Sequence, residues 1–412
     1  MTVTRRDLFC GALATGATLA LSRARAATTP GPRILIQVFL KGGMDAVLTT
    51  DPKTRREVAP EIDVPYGEGE IHALGPHRVG PLLAPLGRHL SRAAIVNGVV
   101  GGTVSHVTGV EQIHEMRRVY PGTGLGLTGT LGLLAGWDPP IGDVRFNRYD
   151  VLSGLPTSNG RTLTCQQPAT PDESVVARLH GLAQDPRRKA AVTVALAEQL
   201  HGRVDPRAMP IEVARRLLAA IPEGPLPPIR PVLGSEDHPD ALDIVLRDLL
   251  YLVEHDLTAT AYMWLGNFDS HEFNLRTQTE QADGMCKYLS VLLDELDRRR
   301  DRDGVALSER VGLVISSEIG RMPVLNVQDG KDHFPQHPVI LLGPGIRRGQ
   351  FGETDARMIG LPISAQTGKP SASKRDFVPS IDDIGATILH WFGVDDPASV
   401  GYLGRRLDFA LA

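Results

Sequence analysis

The stretch that decides the fold is Ile34-Leu-Ile-Gln-Val-Phe-Leu40, continued at once by Lys41-Gly-Gly-Met-Asp45. A short apolar run bounded by Pro32 and by Gly42-Gly43 reads as a buried strand. Two glycines let the backbone turn sharply at its end and place the Asp45 carboxylate at the sheet's rim. Four further apolar runs come later: 93–100, 257–265, 311–317 and 339–342. Helical patterns over 107–119, 277–300 and 381–392 alternate with them. This order predicts an α/β fold with a doubly wound, mostly parallel sheet covered on both faces. In such sheets ligands bind beyond the carboxyl ends of the strands.

The segment after each strand is therefore the place to look for chemistry. After the second comes Gly101-Gly-Thr103-Val-Ser105-His106, leading into a helix. The third ends in Asn267-Phe-Asp269-Ser-His271 and the fourth in Glu318-Ile-Gly-Arg321. Asp332-His333-Phe-Pro-Gln-His337 stands before the fifth. Carboxylates and imidazoles brought to one rim would repel or stay unpaired unless cations neutralise them. Mixed Asp/His donors suit Zn²⁺ or another first-row metal, and carboxylate-rich shells also admit Mg²⁺, Mn²⁺ or Ca²⁺. Each piece alone has an ordinary explanation. Asp45 suits a turn, Ser105 or Thr103 suits a helix N-cap, and Lys41 and Arg321 suit surface or structural pairing.

Residues 140–255 read differently, as a helical insertion with helices over 171–201, 210–220 and 241–254 and a proline-rich connector over 222–231. The first 26 residues read as an export leader. Arg5-Arg6 are the paired arginines of a twin-arginine signal, an uncharged stretch of 14 residues runs from Leu8 to Leu21, and Ala24-Arg-Ala26 offers a cleavage site. That stretch is shorter than the ~20 residues a membrane span needs. The reading places the mature protein in the periplasm or outside the cell, with the twin-arginine translocase as its partner in export and no stable membrane span.

Composition narrows the function. The 412 residues carry 44 Lys+Arg against 48 Asp+Glu, net −4, and 5% aromatics. Neither a basic surplus nor a base-stacking surface points to nucleic acid. Three cysteines exclude a disulfide scaffold; Cys10 falls in the leader, leaving Cys165 and Cys286 able to pair. Gly124-Leu-Gly-Leu-Thr-Gly129 fits GxGxxG but comes after a helix rather than a strand, so a dinucleotide site is rejected. His114-Glu115 and His271-Glu272 lack the second histidine of a zincin motif, and neither a nucleophile elbow nor a P-loop occurs.

Taken together, ILIQVFLKGGMD, NFDSH, VGLVISSEIGR, GKDHFPQHPVILLGPGIRRGQ and the tail PSIDDIGATILHWFGVD resemble the exported bacterial family known as domain of unknown function 1501. That family is similar to the alkaline phosphatase and sulfatase superfamily. The resemblance covers most of the chain, best over 33–50 and 257–395. It implies a metal-dependent hydrolase of phosphate, sulfate or related esters, acting on a small-molecule or glycan ester. The implied site holds two divalent ions (Zn, Mn, Mg or Ca) and a hydroxyl nucleophile at a helix N-terminus. Residue by residue, Asp45 matches a first-strand metal ligand. Asp269 and His271 resemble an Asp-plus-His pair that is usually more widely spaced. Glu318 sits where Asp followed by His is common, although Ile319 comes next here. Asp332 and His333 resemble the late ligands. The implied nucleophile is Ser105, or failing that Thr103. Lys41, His106, Arg321 and His337 would line the substrate site. No Cys-x-Pro-x-Arg occurs, so formylglycine chemistry is not implied. The alternative reading is a non-catalytic secreted metal-binding or assembly protein that retains the fold.

Overall fold

A computed structural model describes residues 33–118, 126–135, 137–147, 162–166, 168, 170–184, 211–371 and 373–412. The leader, and the part of the expected 171–201 helix beyond 184, lie outside the described residues.

Eight strands form the central sheet: β1 Ile34–Lys41, β2 Ala94–Val100, β3 Asp143–Asn147, β4 Thr162–Gln166, β5 Thr260–Asn267, β6 Val311–Ser316, β7 Gln336–Leu342 and β8 Gly349–Phe351. Their order is β8-β2-β7-β6-β1-β5-β3-β4. β1 runs parallel to both neighbours, β5 and β6, and β3 continues parallel to β5 and β4. Only β7 is reversed, antiparallel to β6 and to β2. The fold is thus α/β with a mostly parallel sheet.

β1 is buried on both faces, as its nearly continuous apolar run requires. Ile34, Ile36, Val38 and Leu40 join one core, together with helices α5 (Ala241–Glu254) and α6 (Asn274–Arg298). Leu35 and Phe39 point to the other core, shared with α1 (His106–Glu115), α2 (Gly126–Leu134) and α7 (Ile381–Trp391). Gln37 is the polar exception on β1; its amide donates to the Ile113 carbonyl at 2.6 Å, so no donor is stranded there.

Residues 140–255, expected as a helical insertion, do carry helices α3 (Val175–Ala183), α4 (Ile211–Ala220) and α5, but they also add β3 and β4 to the sheet edge. β3 escapes a hydropathy reading because it buries Asp143 and Arg145 as an ion pair 2.7 Å apart. Cys165 and Cys286 are buried and unpaired with each other, in contrast to the disulfide considered from sequence. No helix among the described residues is long and apolar enough to cross a membrane.

Because β1, β2, β5 and β6 point the same way and β7 starts where they end, the segments 42–45, 101–106, 268–271, 317–321 and 333–336 all emerge on one rim.

Candidate metal centre

The turn after β1 is set by Gly42 and Gly43, at φ +94° and +93°. A Cβ on Gly42 would fall 2.2 Å from the Asp269 nitrogen, so only glycine lets the two strand ends approach. The turn is as sharp as the sequence implies, but it does not leave the Asp45 carboxylate at an open edge. Asp45 is wholly buried and paired with Lys331, Nζ to Oδ2 at 2.8 Å. Asn274 Nδ2 donates to the same oxygen at 2.9 Å, and Asp63 approaches Lys331 at 3.4 Å. Lys331, with 0% side-chain exposure, supplies the cation that Asp45 requires.

The donors that do converge are His106, Asp269, His271 and His333, each offering one atom within 4.8 Å of the others. Their positioning is specific. His106 opens α1, and its Nδ1 lies 2.7 Å from Glu318 Oε1. His271 Nδ1 lies 3.0 Å from Asp332 Oδ1, and His333 Nδ1 lies 2.6 Å from the Val104 carbonyl. Carboxylates and carbonyls only accept, so each Nδ1 carries a proton, and the three Nε2 atoms are the ones turned inward and available to a cation. His271 Nε2 and His333 Nε2 then face each other at 2.7 Å. His106 Nε2 faces Asp269 Oδ2 at 3.3 Å. The four inward-facing atoms lie close enough together to share one cation. A histidine held through its outer nitrogen by a carboxylate or carbonyl is the usual second layer of a metal site.

Hydrogen bonds to Asp269 and Glu318 push His106 up to about 9, so without a cation its Nε2 keeps a proton against Asp269, and a bound ion would take that proton's place. The His106 bond and then the Arg321 guanidinium hold Asp269 well below the usual carboxylate range. Asp332 is lowered by its bonds from His271 and Asn326, and His333 is lowered by burial.

The remaining sequence candidates fall around this cluster. Glu318 is buried, accepting the Gly42 N–H at 2.9 Å as well as His106, so it orients a donor rather than joining the four. Asp332 does the same for His271 from the surface. Arg321 is buried, bridging the Gly42 carbonyl (Nε at 2.7 Å) and Asp269 (Nη2 at 2.7 Å). His337 is buried with Nε2 unpartnered and lies outside the cluster. Ser105 is exposed at the α1 N-cap and makes no side-chain capping bond; the Thr103 hydroxyl accepts the Ser105 N–H at 3.0 Å. Lys41 ends β1, 5.8 Å from the Trp264 ring centre. Sequence reasoning missed Lys331 entirely and ranked His106 only as lining. The signal for Lys331 was its place in Gly330-Lys-Asp-His333, but only its burial reveals its partner.

Residues 252–410 match the model of a family described as protein of unknown function, DUF1501. That match overlaps the 257–395 stretch where the sequence resemblance is best. No curated protein matches the chain. Among solved structures, the chain is similar to a protein in the alkaline phosphatase superfamily from Vibrio parahaemolyticus (10% identity, 98% of this chain and 79% of that one, TM-score 0.45). It is also similar to the lipoteichoic acid synthase LtaP from Listeria monocytogenes (10%, 97% and 82%, TM-score 0.44). A third is lipooligosaccharide phosphoethanolamine transferase A from Neisseria meningitidis (11%, 99% and 65%, TM-score 0.41).

Proposed function

We propose that the chain is an exported metal-dependent hydrolase of phosphate, sulfate or related esters, with one first-row divalent ion held by His106, Asp269, His271 and His333. The observation that carries this reading is the inward convergence of three Nε2 atoms on one carboxylate, each imidazole fixed from behind. Three nitrogens and one oxygen suit Zn²⁺ or a similar ion better than Ca²⁺ or Mg²⁺, which prefer oxygen shells. The two-ion expectation narrows to one, because Asp45, which would help hold a second, is already neutralised by Lys331.

When bound, the ion would supply Lewis acidity toward a phosphoryl or sulfuryl oxygen. The chain's own residues would do the rest. Ser105, or Thr103 in its place, would attack the central phosphorus or sulfur as the ester oxygen leaves and takes a proton. Water would then release the anion and restore the hydroxyl. Free N–H groups in the first turn of α1 would face the oxyanion. Arg321 keeps Asp269 ionised and in place.

The second reading, an exported metal-binding or assembly protein without turnover, is favoured by the exposure of Ser105 at the α1 N-cap. One experiment separates the two. The full chain is purified without chelator, beside His333→Ala and Ser105→Ala, and metal content and turnover of aryl phosphates and sulfates are measured. The hydrolase reading expects one ion per chain, lost in His333→Ala, and turnover lost in both variants. Metal without turnover favours the second reading, and no metal refutes both. Export is tested by Arg5→Lys/Arg6→Lys, which should leave the precursor in the cytoplasm.

A further inference from the structure

Nine large hydrophobic side chains stand exposed among the described residues, and six of them sit on the three segments that deliver the histidines. Val104 and Val107 flank His106, Phe273 and Leu275 come after His271, and Leu325 and Val327 precede His333. Hydrogen bonds bind these segments together around the cluster. His333 Nδ1 donates to the Val104 carbonyl, the Phe273 N–H donates to the Gln328 carbonyl at 3.2 Å, and Asn326 Nδ2 donates to the His271 carbonyl at 2.9 Å.

Phe273 is the most telling of the six. It is a non-glycine residue at φ +49°, ψ +50°, and its ring is 59% exposed at the mouth of α6. A left-handed aromatic residue costs conformational energy, and exposing the ring forgoes what burial would return. Such a residue sits there for something other than the stability of the free chain. Charge narrows what it meets. On these segments Arg276 is paired with Glu280 and Lys331 is buried, while Glu272 and Asp332 are exposed. This rim does not attract a polyanion.

We infer that the centre accepts an amphiphile: a monoester oxyanion that reaches the histidines while its apolar chain or ring lies on the collar of Phe273, Val107 and Val327. This rests on the metal-site reading and names the substrate class for it. A highly sulfated glycan is disfavoured by the same acidic, apolar rim.

The test compares n-octyl phosphate, below its micelle-forming concentration, with methyl phosphate, by calorimetry on the Zn²⁺-loaded full chain and on Phe273→Asn/Val327→Ser. Asparagine tolerates the left-handed backbone and Val327 is fully exposed, so the variant should fold and keep its metal. Each buried methylene is worth about fourfold, so two on the collar give octyl phosphate at least about tenfold tighter binding. In the variant the preference should shrink to about twofold. Equal binding of the two probes by the wild-type chain, or a preference untouched in the variant, overturns the inference while leaving the metal site standing. Failure to hold zinc or either probe refutes the underlying function instead. Co-sedimentation with vesicles containing phosphatidic acid, lost in the variant, would place the apolar group in a bilayer. Tight octyl phosphate binding without co-sedimentation would make it a free amphiphile, and both outcomes support the inference.

Discussion

Replacing Lys331 with methionine leaves the Asp45 carboxylate buried beside Asn274 with no cation in contact. In the folded chain Lys331 Nζ lies 2.8 Å from Asp45, with side-chain exposures of 0% and 1%. Removing one partner of such a pair costs about 3–5 kcal/mol, because the other charge stays buried and uncompensated. An unfolding entropy near 2.1 cal/mol/K per residue over 412 residues gives about 0.9 kcal/mol/K. Lys331→Met should therefore lower the melting temperature by about 3–6 °C. Lys331→Met/Asp45→Asn removes both charges and should recover most of that loss, a coupling of at least about 2 kcal/mol in a double-mutant cycle. Calorimetry of the wild type and the three variants measures it, with metal analysis alongside. One retained ion per chain in Lys331→Met/Asp45→Asn is expected, since neither residue touches the cluster. A single variant that melts within about 1 °C of wild type, or two single costs that simply add, would refute the view of Lys331 as the cation on which Asp45 depends.

The geometry dictates three further outcomes. Glu318→Gln weakens the buried support of His106 and should cost about 10–100-fold in metal affinity by chelator competition; Asp332→Asn, on an exposed carboxylate, should cost markedly less, and the reverse order would contradict the roles assigned. His337, lowered by burial to about 4, stays neutral in the fold while the unfolded residue takes up a proton near pH 6.5. Its contribution is therefore complete above about pH 6.5 and lost as the pH falls toward 4, by about 3 kcal/mol, so His337→Met should flatten urea-measured stability between pH 7 and 4.5; parallel slopes for variant and wild type would count against it. Gly42→Ala forces a Cβ onto the Asp269 backbone and should lose both metal and thermal stability, though no donor is changed; normal metal content would show that the strand ends can separate without harm.

The sheet was legible where strands are mostly apolar, as in Ile34–Leu40 and Val311–Ser317. It was illegible where polar residues lie inside strands. Gln336 and His337 pair with Val100 and Val99, yet the apolar run starts only at Val339, and the register shifts between His337 and Val339, around Pro338. A proline at such an irregularity removes no ladder bond, which is why it does not stop the strand. β3 was hidden by Asp143 and Arg145, which look exposed in sequence but are buried as an ion pair. The site shows the same division. Strand-end positions were enough to expect Asp269, His271 and His333 on one rim, and the structure brings the three together. Roles were harder to read than places: whether Asp45 faces a metal or a lysine, and whether His106 donates or lines, depends on partners more than 200 residues away in sequence.

The reversed strand β7 has a consequence for the order in which this protein becomes complete. His106 and His271 leave the ends of forward-running strands, but His333 arrives on the approach to the backward one, after just over four-fifths of the chain has been made. Until β7 has slotted between β2 and β6, only part of the donor set exists, and no local segment can assemble it early. Acquisition of the ion would then report that the sheet is closed. A cell that exports the chain with its cargo in place would be exporting only molecules that had finished folding.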